Sequence, residues 1–466
     1  MWIKSFRLRR RTIAIAVACI LVLVAVAAFV FLNDERESVV SVAKLRESLS
    51  KAALESMRLA PDLEKSIEER LQRGQYTFRY DTFGDEAFWG DTLQLHRAIA
   101  GEKLGGVGPG VSPNQALAVG LKVDVEALPK NLVKDLKAGK VNLDDPATTL
   151  VLLENDAVVG LTGFFDKKGN LSSIGIQCAL CHSTVDDSFA PGIGRRLDGW
   201  ANRDLNVGAI ISLAPNLQVI ADRLGVDVAT VKKVLASWGP GKYDAVLLMD
   251  GKGFAPDGKS AAVLLPPIFS LSGINLHTWT GWGSLVHWNA YVANTQMRGK
   301  GTFYDPRLND PAKYPIAVKT GDWNIRNKPD LITPKLADLH VYQLALTAPP
   351  APKNSYDKKA AQRGEKLFNE KARCAQCHVP PVYSEPGWNM HTPEEMGIDA
   401  FQADRSPDNR YRTSPLQGLW THQKGGFFHD GRFADLKEVV EHYNTVFKLK
   451  LTESEKNDLV EYLKSI

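Results

Sequence analysis

The stretches Cys178-Ala-Leu-Cys181-His182 and Cys374-Ala-Gln-Cys377-His378 decide the reading of this chain. Each places an imidazole immediately after a Cys-x-x-Cys pair, which is the attachment signal of c-type haem. The chemistry needs each residue type. The thiols form thioethers with the haem vinyl groups, and the histidine gives a ring nitrogen to the iron from one face. Two competing readings use the same cysteines: a thioredoxin-like redox pair, or one zinc ion held by four thiolates. The histidine at the same place in both copies argues against them, because zinc would take its four ligands once. The expectation is two covalently bound haem c groups. Cys178 and Cys181 would hold one, Cys374 and Cys377 the other, with His182 and His378 as proximal iron ligands.

The rest of the chain sets the context. Its 466 residues are 44% hydrophobic and 24% charged, a globular composition. The net charge of +4 is carried by Lys4, Arg7, Arg9, Arg10 and Arg11, leaving about −1 for everything after residue 12. A nearly neutral body lacks the basic footprint of nucleic-acid binding, and that class is set aside. Ile13 to Leu32 is an uncharged run of twenty residues, long enough for a bilayer core of roughly 30 Å. Basic residues before it and Asp34, Glu35 and Glu37 after it predict a single-pass anchor in the inner membrane, N-terminus inside, with the body in the periplasm. A cleaved signal peptide is the competing reading, but no A-x-A-like site follows the run.

The predicted organisation is a basic cytoplasmic tail (1–12), a transmembrane anchor (13–32), a helical stalk (33–75), a first haem c domain (76–347), a Pro-rich linker (348–354) and a C-terminal cytochrome c domain (355–466). The fold class expected is mainly α, two cytochrome c-like haem domains behind the transmembrane helix. Asp357 to Lys371 and Thr452 to Ile466 read as amphipathic helices, the second opened by a Thr452/Glu455 capping box. No sequence repeat is evident, since the two motifs share little beyond their five positions.

What each iron carries on its second face decides function. A strong second ligand makes an electron-transfer centre, and an open position permits peroxide or dioxygen chemistry. For the second haem, His429 in a glycine turn and Tyr443 on the following helix lead the candidates. Met390 and Met396 lie close to the motif and rank lower, while His391, His422 and His442 complete the set. For the first haem, His287 and Trp288 are candidates for the distal region, in a window with three tryptophans between His277 and Trp288. The plainer reading of that window is packed aromatics with satisfied histidines. Trp89 and Trp200 read as packing residues or propionate surroundings.

The C-terminal stretches Arg363-Gly-Glu-Lys-Leu-Phe368, Cys374-Ala-Gln-Cys-His378, Tyr411 to Trp420 and Phe428 to Asn444 resemble those of the bacterial di-haem cytochrome c peroxidase superfamily, which includes the enzyme that matures methylamine dehydrogenase. The resemblance covers roughly the last 110 residues. It implies an all-helical cytochrome c fold around each haem, two haems that communicate, and Tyr443 at the place where peroxidases carry an axial methionine and the maturation enzyme a tyrosine. The N-terminal half is more similar to the di-haem rubber oxygenases, in which the first haem binds dioxygen and two histidines hold the second. That resemblance implies His429 as the late histidine. The two disagree about the ligand, and both candidates stand at this point.

The expected function is a di-haem oxidoreductase of peroxidase type. Electrons would enter the C-terminal haem from a small cytochrome c or cupredoxin and pass through aromatic side chains, and hydrogen peroxide would be reduced at the first haem. The alternatives are an oxygenase acting with dioxygen on an apolar substrate, and an electron carrier with both irons six-coordinate. Calcium between the domains leaves no readable trace.

Overall fold

The computed structural model describes residues 61–422 and 424–466. The tail 1–12, the run 13–32 and most of the stalk 33–75 lie outside the described residues. Among those described, no helix is long and apolar enough to cross a membrane. The longest helix, α1 (Pro61–Tyr80), has 20 residues and thus sufficient length, but charged residues recur along it. No described helix therefore supplies the span of the inner-membrane, single-pass placement expected above, a correction confined to the described residues. The boundary drawn at 75/76 is also corrected. It falls inside α1, whose last turns carry the fully buried Phe78.

Helices dominate the described residues, and the strands form five two-stranded sheets. The hairpin of β1 (Leu161–Phe165) and β2 (Leu171–Ile176) leads directly into the single turn α2 (Ala179–His182), which carries the first motif. The chain leaves through a second antiparallel hairpin, β3 (Ser183–Val185) with β4 (Arg196–Asp198). Helix α3 (Val228–Trp238) follows. Asp227 accepts from the Thr230 amide at its N-terminus at 2.7 Å, satisfying one of the free first-turn donors. It buries Val231, Val234, Leu235 and Trp238 in the main apolar core, and the short pair β5 (Lys242–Tyr243) and β6 (Val263–Leu264) closes that side. Helix α4 (Leu285–Thr295) packs into a separate aromatic cluster. The unit ends with α5 (Leu336–Ala345).

Residues 347–352 carry no regular structure, as the prolines there dictate. The segment is nonetheless fixed on both sides: Ala348 N–H donates to Ser270 Oγ, and Trp420 Nε1–H donates to the Pro349 carbonyl, each at 2.9 Å. Three capped helices build the C-terminal unit. Asp357 caps α6 (Lys358–Asn369), Asp435 caps α7 (Leu436–Val446), and the Thr452/Glu455 capping box opens α8 (Glu453–Ser465).

One arrangement occurs twice. Gly74 of α1 lies so close to α5 that an added Cβ would meet the Asp338 carbonyl at 2.1 Å and Tyr342 Cβ at 2.6 Å. Gly364 of α6 approaches α8 in the same way, with the Asp458 carbonyl at 2.0 Å and Tyr462 Cβ at 2.8 Å. The residue before each glycine is an arginine whose Nε–H donates to that aspartate, Arg73 to Asp338 at 2.6 Å and Arg363 to Asp458 at 2.8 Å. Phe78 packs on Tyr342 and Phe368 on Tyr462, with ring centroids 5.7 and 5.2 Å apart. Gln72-Arg73-Gly74 and Gln362-Arg363-Gly364 thus open equivalent helix pairs, correcting the expectation of a chain without repeats.

Candidate functional site

The first motif is seated by close backbone contact. Gly160 has φ +87°, and a Cβ there would stand 2.1 Å from Leu180 Cα, so only glycine lets α2 lie against the start of β1. The Gln177 amide donates to the Gly160 carbonyl at 3.0 Å, and the Gly199 and Asn202 amides donate to the His182 and Cys181 carbonyls at 2.8 and 2.9 Å. His182 Nδ1 is 3.1 Å from the Pro266 carbonyl. As a donor there, it leaves Nε2 as the lone-pair nitrogen, the tautomer a metal ligand requires. Burial brings the imidazole down to about 4, so it is neutral at ordinary pH. The thiols of Cys178 and Cys181 are uncombined, and burial pushes both up to about 12.

The second motif repeats this anchoring. Arg373, at φ +58°, turns the chain into the short 3-10 turn Cys374–Gln376, and His378 Nδ1 lies 3.1 Å from the Tyr383 carbonyl. Burial lowers His378 to about 4. The motif borders a cavity of about 430 Å³ walled by side chains of α6, α7 and α8, within the range of about 300–1,000 Å³ usual for cofactor clefts. Cys374, Cys377 and His378 lie on it, as do Arg412, His429 and Tyr443. The two leading distal candidates differ in what they already hold. His429 is stacked on Tyr411 with ring centroids 5.0 Å apart, and its Nε2 lies 3.4 Å from Asp399 Oδ2 and 3.5 Å from Tyr411 Oη. The Tyr443 ring stacks on Phe447 at 5.7 Å, and no hydrogen bond engages its hydroxyl among the described residues. Burial, with Cys374 and Cys377 nearby, raises that hydroxyl well above its ordinary range.

The remaining candidates are distributed as follows. His391, Met396 and His422 border the cavity. His391 Nε2 is bound to Glu385 Oε2 at 2.7 Å, and His442 Nε2 lies 2.8 Å from the Met396 carbonyl. Met390 packs near Gly281. His287 and Trp288 border none of the three principal cavities among the described residues. They pack instead with Trp282, Tyr291 and Phe303, His287 at 5.1 Å and Trp288 at 4.6 Å from Trp282. The aromatic residues that suggested a distal pocket are packed against one another in this cluster.

The residues fit a covalently held haem. Both motifs offer free thiols beside an imidazole fixed through Nδ1, and the C-terminal cavity is chiefly apolar. Arg412 borders that cavity with Nη1 buried and unpartnered, and burial lowers the guanidinium to about 10. Such an orphaned donor suits an anionic group like a propionate. A four-cysteine zinc site is not formed: the described clusters able to hold a metal are Cys377-Glu385-His391 and Asp399-His429-Asp430, and neither joins the two pairs. Arg432 already pairs with both carboxylates of the latter.

Sequence reasoning missed the contact between the two motif neighbourhoods. Trp200, two residues beyond β4, meets Trp420 edge-on with centroids 5.3 Å apart. Trp420 lies between Leu419 and His422, both on the C-terminal cavity. It also missed Arg405, fully buried, which donates from Nε to Asp250 at 2.7 Å and from Nη2 to Asp244 at 3.0 Å and so ties the two units together.

No family model matches the chain. The methylamine utilization protein MauG of Methylorubrum extorquens is 28% identical to it over 122 residues, 23% of this chain and 34% of MauG. The chain therefore spans about a third of the length of the curated relative it matches. A solved MauG-like protein associated with microbial copper homeostasis aligns at 18% identity over 47% of this chain and 76% of that one, with a TM-score of 0.30. Hydrazine synthase of Kuenenia stuttgartiensis aligns at 16% over 48% and 86%, with a TM-score of 0.26. Both structural likenesses are slight, and none of these matches bears on the rubber oxygenases. The match to MauG and the C-terminal motifs together support a distant kinship of this chain with the di-haem cytochrome c peroxidase superfamily.

Proposed function

We propose that this protein is a di-haem c-type oxidoreductase that passes electrons from a small donor protein to hydrogen peroxide. The observation that carries the reading is the identical preparation of two C-x-x-C-H motifs, each with uncombined thiols and with the histidine Nδ1 3.1 Å from a backbone carbonyl. In the first unit, closed by α1 and α5, Cys178 and Cys181 would hold one haem and His182 would ligate its iron. In the C-terminal unit Cys374, Cys377 and His378 would do the same for the other. Tyr443, on the same cavity, would be the second ligand of that site. Among the described residues its hydroxyl makes no hydrogen bond, whereas the His429 nitrogen is already shared between Asp399 and Tyr411. A haem held there would supply single-electron redox chemistry toward peroxide. Trp200 and Trp420 bridge the two neighbourhoods and carry electrons from the C-terminal unit to the first.

The test is steady-state oxidation of a reduced small cytochrome c or cupredoxin by hydrogen peroxide, run beside electron paramagnetic resonance of the holoprotein. Turnover is expected with the wild type and lost in His182→Gly, which keeps the spectrum of the second site. Two haems whose low-spin signals ignore peroxide, with no turnover, would defeat the proposal in favour of an electron carrier.

A further inference from the structure

The first unit holds a second cavity, of about 240 Å³, between α3, β5 and the end of α4. Trp89, Leu235 and Trp238 give it apolar walls, and Tyr243, Gln296, Arg223 and Arg298 border its polar corner. The donors of that corner outnumber their acceptors. Tyr243 donates to Gln296 Oε1 at 2.6 Å, and Gln296 Nε2 is spent on the Ala245 carbonyl at 2.7 Å. Both arginines reach one carboxylate oxygen, Asp322 Oδ2. Arg298 Nη1 is 3.4 Å from it, and Arg223 Nη2 donates to it directly. Asp244 also borders the cavity but is spent on Arg405. Arg298 Nε and Nη2 and Arg223 Nε are buried with no partner. Burial and the neighbouring Arg298 charge bring Arg223 down to about 10, as expected of a cationic pair served by one carboxylate.

Buried donors without partners mark a missing acceptor, and the planar fork of arginine matches the two oxygens of a carboxylate. A bare inorganic anion would leave the tryptophan walls uncovered, while an uncharged apolar ligand would leave the donors unmet. We propose that this cavity binds a carboxylate carried on a compact apolar or aromatic body, with Arg298 as its anchor and Arg223 as the supporting charge. That carboxylate has two sources. It is a free small organic acid, or it is a propionate of the haem that Cys178 and Cys181 would hold, since Cys181 packs against the same apolar cluster as Trp89, Leu235, Trp238 and Tyr243. The second source rests on the function proposed above, and the first does not.

Titration calorimetry of the full-length holoprotein with benzoate, and with benzamide as its uncharged analogue, separates the sources. For a free acid, benzoate binds, and benzamide binds at least about tenfold more weakly. Arg298→Gln weakens benzoate by a similar factor, the cost of a lost charge-assisted pair, and Arg298→Lys recovers part of it. For a propionate, benzoate gives no heat, but Arg298→Gln shifts the midpoint potential of one haem in a spectroelectrochemical titration. Equal binding of the two ligands overturns the proposal. So does an absence of both binding and potential shift in an Arg298→Gln protein with unchanged circular dichroism. Pyridine haemochrome analysis of the wild type tests the haem reading separately, and its failure leaves the benzoate comparison intact.

Discussion

Tyr443 and His429 border the same cavity, but only one of them has its polar atom uncommitted. Replacing Tyr443 with Phe removes a hydroxyl that no other group among the described residues uses, so the fold should hold while the electron paramagnetic resonance signal of the C-terminal haem changes. His429→Ala should leave that signal in place and lower stability by about 1–3 kcal/mol, because Tyr411 loses its stacking partner and a buried polar contact disappears. The reverse pattern would make His429 the ligand. The six residues of the two motifs could be named from the sequence because each motif is contiguous. The opposite face could not, because its candidates come from distant loops and helices whose side-chain partners no local pattern records. The same holds for Arg223, Arg298 and Asp322, which meet only in three dimensions.

At the scale of elements, glycine decides two contacts. Gly364→Val would push a side chain into the Asp458 carbonyl where α6 crosses α8. Overpacking against backbone costs about 1–3 kcal/mol, which thermal unfolding of the holoprotein should report as a lower midpoint. Gly160→Ala combines a positive φ with a clash on the Leu180 backbone. It should cost roughly 2 kcal/mol or more and displace α2, so that peptide mass mapping finds Cys178 and Cys181 incompletely modified. The caps of α6 and α8 were plain in the sequence, since Asp357 and the Thr452/Glu455 pair stand next to the donors they satisfy. The predicted boundary at 75/76 cuts α1 because the irregular, Gly- and Pro-rich character of the chain that follows sets in only after the helix ends. Phe78 and Tyr80 simply continue the helix.

Across the whole molecule, the two units meet around Arg405, whose charge is balanced by Asp244 and Asp250. Arg405→Leu strands two buried carboxylates and should destabilise the protein by roughly 3–5 kcal/mol. A triple variant that also makes Asp244 and Asp250 leucine should recover most of that loss. Urea unfolding of the two variants distinguishes a required charge from a required contact. The duplicated helix pair went unseen in the sequence because its recurring elements are a three-residue Gln-Arg-Gly match and an aspartate–tyrosine spacing, each too short to stand out.

That duplication has a consequence for the order of folding. In the C-terminal unit, Gly364 and Asp458 are brought together by fewer than a hundred intervening residues. In the first unit, Gly74 must wait for Asp338 across more than two hundred and fifty. Contacts between residues so far apart in sequence form slowly, and their loop entropy must be met before they stabilise anything. During synthesis α1 therefore emerges long before its partner exists. The helix pair of the first unit cannot close until the chain through residue 345 has been made, whereas the hairpins that seat the first motif depend on neighbours much nearer in sequence.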